Sequence, residues 1–151
     1  MSALKQRIND DVKASMRDKD KERVAILRMI TAAIKQKEVD DRIELDDGQV
    51  LAVLDKMAKQ HRDSIAQFSQ AGRDDLVEKE NSELQVVLEF MPAQLTESEL
   101  EQLIQDAVAE SGAAGMQDMG KVMGILKPKV QGRTDMGKLS GLVKDRLKAE
   151  G

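Results

Sequence analysis

The sequence predicts an all-α protein, with an N-terminal bundle of about four helices followed by a smaller three-helix domain. Three observations support this fold class. Proline occurs only at Pro92 and Pro128, no run of alternating apolar and polar residues is present, and the helix formers Ala, Leu, Lys, Glu, Gln and Met dominate. A chain of 151 residues has room for one ordinary domain or two small ones, each with a core of its own.

Apolar residues recur at helical spacing through the first two predicted helices. The first stripe is Leu4, Ile8, Val12 and Met16, and the second is Val24, Leu27, Ile30 and Ile34, widened by Ile26, Met29 and Ala33. The broader second face is typical of a central helix. Residues 38–47 hold mostly acids, and we predict that they form a connector.

Cap residues and a glycine mark the third and fourth helices. Asp46 with Gln49 predicts a capping box that opens the third helix, and Gly72 predicts its end. The apolar stripe of the third helix is Val50, Leu54, Met57, His61, Ile65 and Phe68, and that of the fourth is Leu84, Val87, Leu88 and Met91.

The clearest boundary in the chain lies at Pro92. Proline breaks the preceding helix, and Thr96 with Glu99 predicts a capping box for the next one. We therefore predict two domains, residues 1–91 and residues 92–151.

A short repeat follows within the second domain. Residues 115–124 and 132–141 are offset by 17 positions and share six of ten residues. Each copy predicts a turn followed by a helix, with Asp118 or Asp135 as the N-cap, and a helix hairpin is the simplest arrangement.

Both copies match the pattern G-x-x-x-x-G-K, which begins a phosphate-binding loop. Val122 and Leu139 occupy the position where such a loop needs Ser or Thr, and no strand is predicted before either copy, so we exclude a nucleotide-hydrolysing site. The glycine pairs, four residues apart, instead leave one helix face without side chains. Such a face allows close approach of either another helix or a phosphate backbone.

Composition excludes several classes of chemistry. The chain has no Cys and one His, which rules out disulfides, a thiol nucleophile and any metal site built from Cys or several His. We interpret His61 as a histidine at the edge of the core, and we predict no catalytic residues, no cofactor and no metal. No leader or membrane span is visible, which favours a cytoplasmic protein with no membrane partner.

The net charge of −4 conceals a strong segregation of charge. Residues 92–118 hold six acids and no base, whereas residues 119–151 hold eight bases and three acids. The basic stretch indicates either a solvated surface or a binding site for polyanions. With only two Phe and no Trp or Tyr, base stacking on single strands is not expected.

Several stretches of the sequence resemble the YqeY family. They are residues 27–34 (LRMITAAI), 56–65 (KMAKQHRDSI), 90–95 (FMPAQL) and 119–124 (MGKVMG). That family is similar in turn to the C-terminal tail of GatB, a subunit of the glutamine-dependent amidotransferase acting on mischarged tRNA, and the tail helps to hold tRNA. Residues 132–134 and 142–147 resemble the tail's final turn and helix.

The basic stretch, the glycine pairs and this resemblance together predict an RNA-binding surface. Its candidate residues are Gly120, Lys121, Gly124, Lys127, Lys129, Gly132, Arg133, Lys138, Lys144 and Arg146. We expect a non-catalytic protein that binds tRNA or another structured RNA, with a tRNA-modifying or synthetase complex as a further partner. Two alternatives stay open. One is an accessory role in glutamine-dependent amide transfer, a carbon–nitrogen ligase activity with glutamine as amido-N-donor, and the other is a helical protein–protein adaptor.

Overall fold

The computed structural model describes residues 2–150, and this range contains seven α-helices, one short 3-10 turn and no β-strand. The prediction of an all-α fold is confirmed. The chain divides into two compact units, Met1–Pro92 and Ala93–Gly151, which we call the N-terminal and C-terminal units. Each unit has its own cluster of buried apolar side chains.

Four helices form the N-terminal unit: α1 (Ala3–Arg17), α2 (Lys21–Asp41), α3 (Asp47–Gln70) and α4 (Asp74–Glu89). Only residues 71–73 separate α3 from α4, so these two helices pack side by side as a hairpin. The predicted stripes supply the core, in which Ile8, Leu27, Ile30, Leu54 and Val87 have no exposed surface. Met16 and Met29 are the exceptions, since they are 52% and 46% exposed and extend their stripes beyond the core.

The second helix is longer than the sequence predicts. It continues to Asp41, so the prediction of a connector over residues 38–47 is wrong for its first four residues. The acids that suggested a loop have partners: Lys37 pairs with Asp41 at 2.9 Å, and Glu38 accepts from Lys5 Nζ at 2.8 Å and from the Leu45 amide at 3.0 Å. These bonds hold the pKa of Glu38 below its ordinary value, with the Lys5 bond as the main cause.

Both predicted capping boxes are confirmed. The Gln49 amide donates to Asp46 Oδ1 at 2.8 Å, and the Glu99 amide donates to Thr96 Oγ1 at 3.1 Å. Each box satisfies two amides that a helix start would otherwise leave unbonded. Gly72, at φ +69°, follows the end of α3 as expected.

Three helices form the C-terminal unit: α5 (Glu97–Ser111), α6 (Met119–Val130) and α7 (Met136–Glu150). A 3-10 turn, Met116–Asp118, leads directly into α6, which packs against both α5 and α7. The core positions of α6 and α7 are four residues apart, so their other faces remain available to solvent. These positions are Val122, Leu126, Val130, Leu139, Val143 and Leu147. None of the described helices is both long and apolar enough to cross a bilayer.

Candidate nucleic-acid interface

The ten candidate residues lie on α6, on α7 and in the turn between them. Gly120, Lys121, Gly124, Lys127 and Lys129 belong to α6, Gly132 and Arg133 to the turn, and Lys138, Lys144 and Arg146 to α7. The five lysines and the two glycines of this set that lie on α6 and α7 are all exposed. Arg133 and Arg146 are half-buried, and Gly132 is buried.

Gly120 and Gly124 form an open patch on α6. A Cβ atom built at either position would meet no heavy atom within 4 Å. Close packing inside the unit therefore does not require these glycines. The face remains open to a binding partner, which is one of the two uses that the sequence allowed.

Pro128 adds a backbone feature to the same patch. It lies inside α6, and it has no N–H to donate to the carbonyl four residues earlier, which is that of Gly124. Because Gly124 is exposed, the patch presents a carbonyl without this helical partner.

Three of the candidate lysines lie near carboxylates. Lys138 Nζ is 3.2 Å from Glu97, Lys121 Nζ is 3.8 Å from Asp118, and Lys129 Nζ is 4.0 Å from Glu110. All three lysine side chains are at least half exposed. Exposed pairs of this kind contribute about 0–1 kcal/mol, so a phosphate can displace the carboxylate at little cost.

Lys127 and Lys144 complete the cationic surface. Both are exposed, and neither has an ion-pair partner among the residues that the structure describes. Their charges face water in the described structure and are available to a polyanion.

Gly132 and Arg133 hold the start of the C-terminal unit. Gly132 has φ +75°, and its carbonyl accepts from Gln94 Nε2 at 2.9 Å. Arg133 Nε donates to the Ala93 carbonyl at 3.2 Å, while the Arg133 carbonyl accepts from the Leu95 amide at 2.8 Å. These bonds give both residues a structural role, and their contact with RNA stays a prediction.

The two predicted N-caps of the repeat behave differently. Asp135 Oδ1 accepts from the Gly137 amide at 2.9 Å at the start of α7. Asp118 makes no such bond to α6, and its carboxylate accepts from the Ala114 amide at 3.0 Å instead. Asp118 occupies the N-cap position of α6, as predicted. The 3-10 turn enters α6 directly, however, so Asp118 lacks the extended backbone from which an N-cap side chain ordinarily bonds the helix.

The sequence reasoning missed a side-chain cluster in the N-terminal unit. His61 is 8% exposed, as expected of a histidine at the core edge, and its Nδ1 lies 2.6 Å from Glu80 Oε2 and 3.7 Å from Glu83 Oε2. Among the described residues, these three form the one set of His and acidic side chains that could hold a metal ion. The sequence held a signal for the contact between His61 and Glu83: they lie equally far on either side of Gly72, so a hairpin that turns there brings them to the same level.

The architecture and this surface define a class: a small all-α protein of two helical units, with a cationic, glycine-opened face on the second. The sequence profile described as Yqey-like protein matches residues 5–147. The chain belongs to the YqeY-like family, as the resemblance predicted.

Curated relatives extend this result. The chain is 38% identical over 87 residues to the Eremothecium gossypii protein named Altered inheritance of mitochondria protein 41, mitochondrial, covering 57% of this chain and 48% of that one. The relative of the same name in Kluyveromyces lactis is 37% identical over 62% of this chain and 49% of its own length. The relative of the same name in Pyrenophora tritici-repentis is 32% identical over 84% of this chain and 71% of its own length. The chain thus spans about half the length of the first two relatives.

The relatives correct one prediction. They are named as mitochondrial proteins, which contradicts the expectation of a cytoplasmic location. That expectation rested on composition and on the segments visible in the sequence, and a folded helical unit carries no physical record of its compartment. None of the three names denotes an enzyme or a reaction.

Proposed function

We propose that the C-terminal unit binds structured RNA, with tRNA as the first candidate, through the exposed cationic surface of α6 and α7. One observation carries the proposal: exposed lysines lie beside a helix face that is open at Gly120 and Gly124. Lysines supply charge for phosphates, and missing side chains let a backbone come close.

The chemistry of the surface favours recognition of shape over sequence. Both aromatic residues of the chain, Phe68 and Phe90, belong to the N-terminal unit, so the C-terminal unit offers no ring for a base to stack on. Contacts to phosphates and 2′-hydroxyls suit a folded, double-helical RNA. Affinity should therefore fall steeply with salt.

The role we propose is non-catalytic. The two alternatives are an accessory role in glutamine-dependent amide transfer to aminoacyl-tRNA and a protein–protein adaptor that docks a helix on the glycine patch. The first requires glutamine-dependent turnover with a charged tRNA, which an assay of ammonia release or amide formation would detect. The second requires a partner that survives nuclease treatment and high salt in a pull-down.

A charge-reversal variant tests RNA binding directly. Lys121, Lys127 and Lys144 are changed together to Glu, and Arg133 is left intact because it holds the turn before α5. The matched control changes three exposed lysines of the N-terminal unit to Glu and so carries the same net charge as the surface variant. These lysines are Lys13, Lys59 and Lys79. Retention of tRNA is measured by filter binding at several salt concentrations, and circular dichroism verifies folding.

The two variants should separate clearly. If each lysine contributes about 1 kcal/mol, the surface variant loses about 100-fold in affinity at low salt. The slope of log K against log salt should become shallower by about 2 to 3, because three phosphate contacts disappear. Equal losses in both variants would show that net charge alone governs retention, and the proposal would then be wrong.

A further inference from the structure

A second feature lies in the N-terminal unit and is independent of RNA binding. His61 on α3 and the pair Glu80 and Glu83 on α4 converge across the helix hairpin. One nitrogen and two carboxylate oxygens from these side chains all lie within 4.8 Å of one another. The spacing follows from the helix, since residues three apart on α4 point to the same side.

The surroundings of this cluster are those of a built site. The side chains of His61, Glu83 and Glu80 are 10%, 13% and 22% exposed, so water reaches each of them only partly. Two carboxylates held close together in a half-buried position repel each other, and one imidazole carries at most one positive charge. A dication would balance both carboxylates at once.

The distances fit a small transition metal. In a tetrahedral zinc site with bonds of about 2.0–2.2 Å, neighbouring ligand atoms are about 3.3–3.6 Å apart. The imidazole Nδ1 lies 2.6 Å from one carboxylate oxygen and 3.7 Å from the other, values that bracket this separation. Shifts of less than about 1 Å in the two carboxylates would bring each oxygen to this separation from Nδ1.

We propose that His61, Glu80 and Glu83 bind one zinc-class dication, with the fourth position left to water. A nitrogen ligand and only three protein ligands favour Zn²⁺ over Mg²⁺ and Ca²⁺, which take six or more oxygens. The bound ion would join α3 to α4 near the middle of the hairpin and stabilise the N-terminal unit.

The test uses the full-length protein stripped of metal with a chelator, and Zn²⁺ alone as the probe. Competition with a chromophoric chelator should give one saturable equivalent of Zn²⁺. Glu83→Gln keeps the size and polarity of the side chain and should lower the affinity by roughly 100-fold or more, since a direct ligand matters at least as much as its supporting groups. Glu78→Gln, at an exposed position of the same helix, removes the same charge and should leave the affinity unchanged.

A spectroscopic readout locates the ion. His61 is the only histidine, so imidazole NMR signals arise from this residue alone and should shift when Zn²⁺ is added. At a Zn²⁺ concentration of 100 times its Kd, the unfolding midpoint of the N-terminal unit should rise by about 10–20 °C, and Mg²⁺ should have no such effect.

The opposite results overturn the proposal. If the protein binds no saturable equivalent of Zn²⁺, the three side chains only link α3 to α4 by hydrogen bonds and ion pairing. Zn²⁺ binding that is equally tight in Glu83→Gln, or that leaves the His61 signals unmoved, would place the ion elsewhere. Glu83→Gln should retain tRNA as the unchanged protein does, because the proposed RNA-binding surface lies in the other unit. A failure of the zinc proposal is therefore distinguishable from a failure of the RNA-binding proposal.

Discussion

Filling the glycine patch of α6 should stabilise the protein while weakening RNA binding. The perturbation is the double variant Gly120→Ala, Gly124→Ala. Neither new methyl group would meet a heavy atom within 4 Å, and neither glycine has a positive φ. The substitution therefore introduces no clash and no backbone strain within the described structure.

The magnitude follows from the position of each glycine in its helix. Gly124 lies in the middle of α6, where Ala is favoured over Gly by about 1 kcal/mol, and Gly120 lies in the first turn, where about 0.5 kcal/mol is reasonable. The sum of about 1.5 kcal/mol should raise the unfolding midpoint of the C-terminal unit by about 5–10 °C. If RNA phosphates approach this face, the same methyl groups should lower the affinity for tRNA.

Thermal unfolding by circular dichroism and tRNA retention by filter binding measure the two effects. Gly48→Ala in the first turn of α3 is a control outside the proposed surface, because its new methyl group meets only Asp46 Oδ1, at an ordinary 3.5 Å, and it should not change the affinity for tRNA. Gly112→Ala is the opposite control, since φ +68° disfavours Ala by about 1 kcal/mol or more. A loss of stability in the double variant would show that the face is covered in the protein. A gain in stability with unchanged tRNA retention would refute the contact with RNA.

Three further variants test the fold. Arg23→Met removes the bonds that Arg23 donates to Asp11 at 2.7 and 3.1 Å and to Glu89 at 2.8 Å, and it should cost about 2 kcal/mol in urea unfolding at pH 7. The Arg23 bond lowers the pKa of Asp11 in the folded state. The stability that this bond contributes is therefore present above pH 3.8, the ordinary pKa, and is lost as the pH falls through the lowered pKa of the folded state. An equal cost of Arg23→Met at pH 2 would contradict this account. Thr96→Ala removes the N-cap of α5 and should cost about 1 kcal/mol, with Thr96→Ser close to wild type in the same assay. Leu126→Ala empties a fully buried position of the C-terminal core and should cost about 2–5 kcal/mol, whereas a cost under 1 kcal/mol would mean that this core is loosely packed.

Most of the fold could be predicted because its signals are local. The capping boxes at Asp46 and Thr96 involve residues three apart, and the apolar stripes report a helix period that needs no knowledge of neighbours. The end of α2 was misjudged because its acid Glu38 is paired with Lys5 of another helix, a partner that the local sequence does not reveal. The side chain of Asp118 does not cap α6 although Asp118 lies at the N-cap position, since a 3-10 turn replaces the extended backbone that side-chain capping requires.

The sequence by itself determined the helical class, the position of most helix ends and the charge segregation that directs attention to α6 and α7. These properties depend on residue type and on spacing along one helix. Only the tertiary structure decided that Gly120 and Gly124 are open, that Arg133 is engaged with the Ala93 carbonyl, and that His61 meets two carboxylates across a hairpin. Each of these depends on the separation in space of atoms distant in sequence, which is set by how the cores pack.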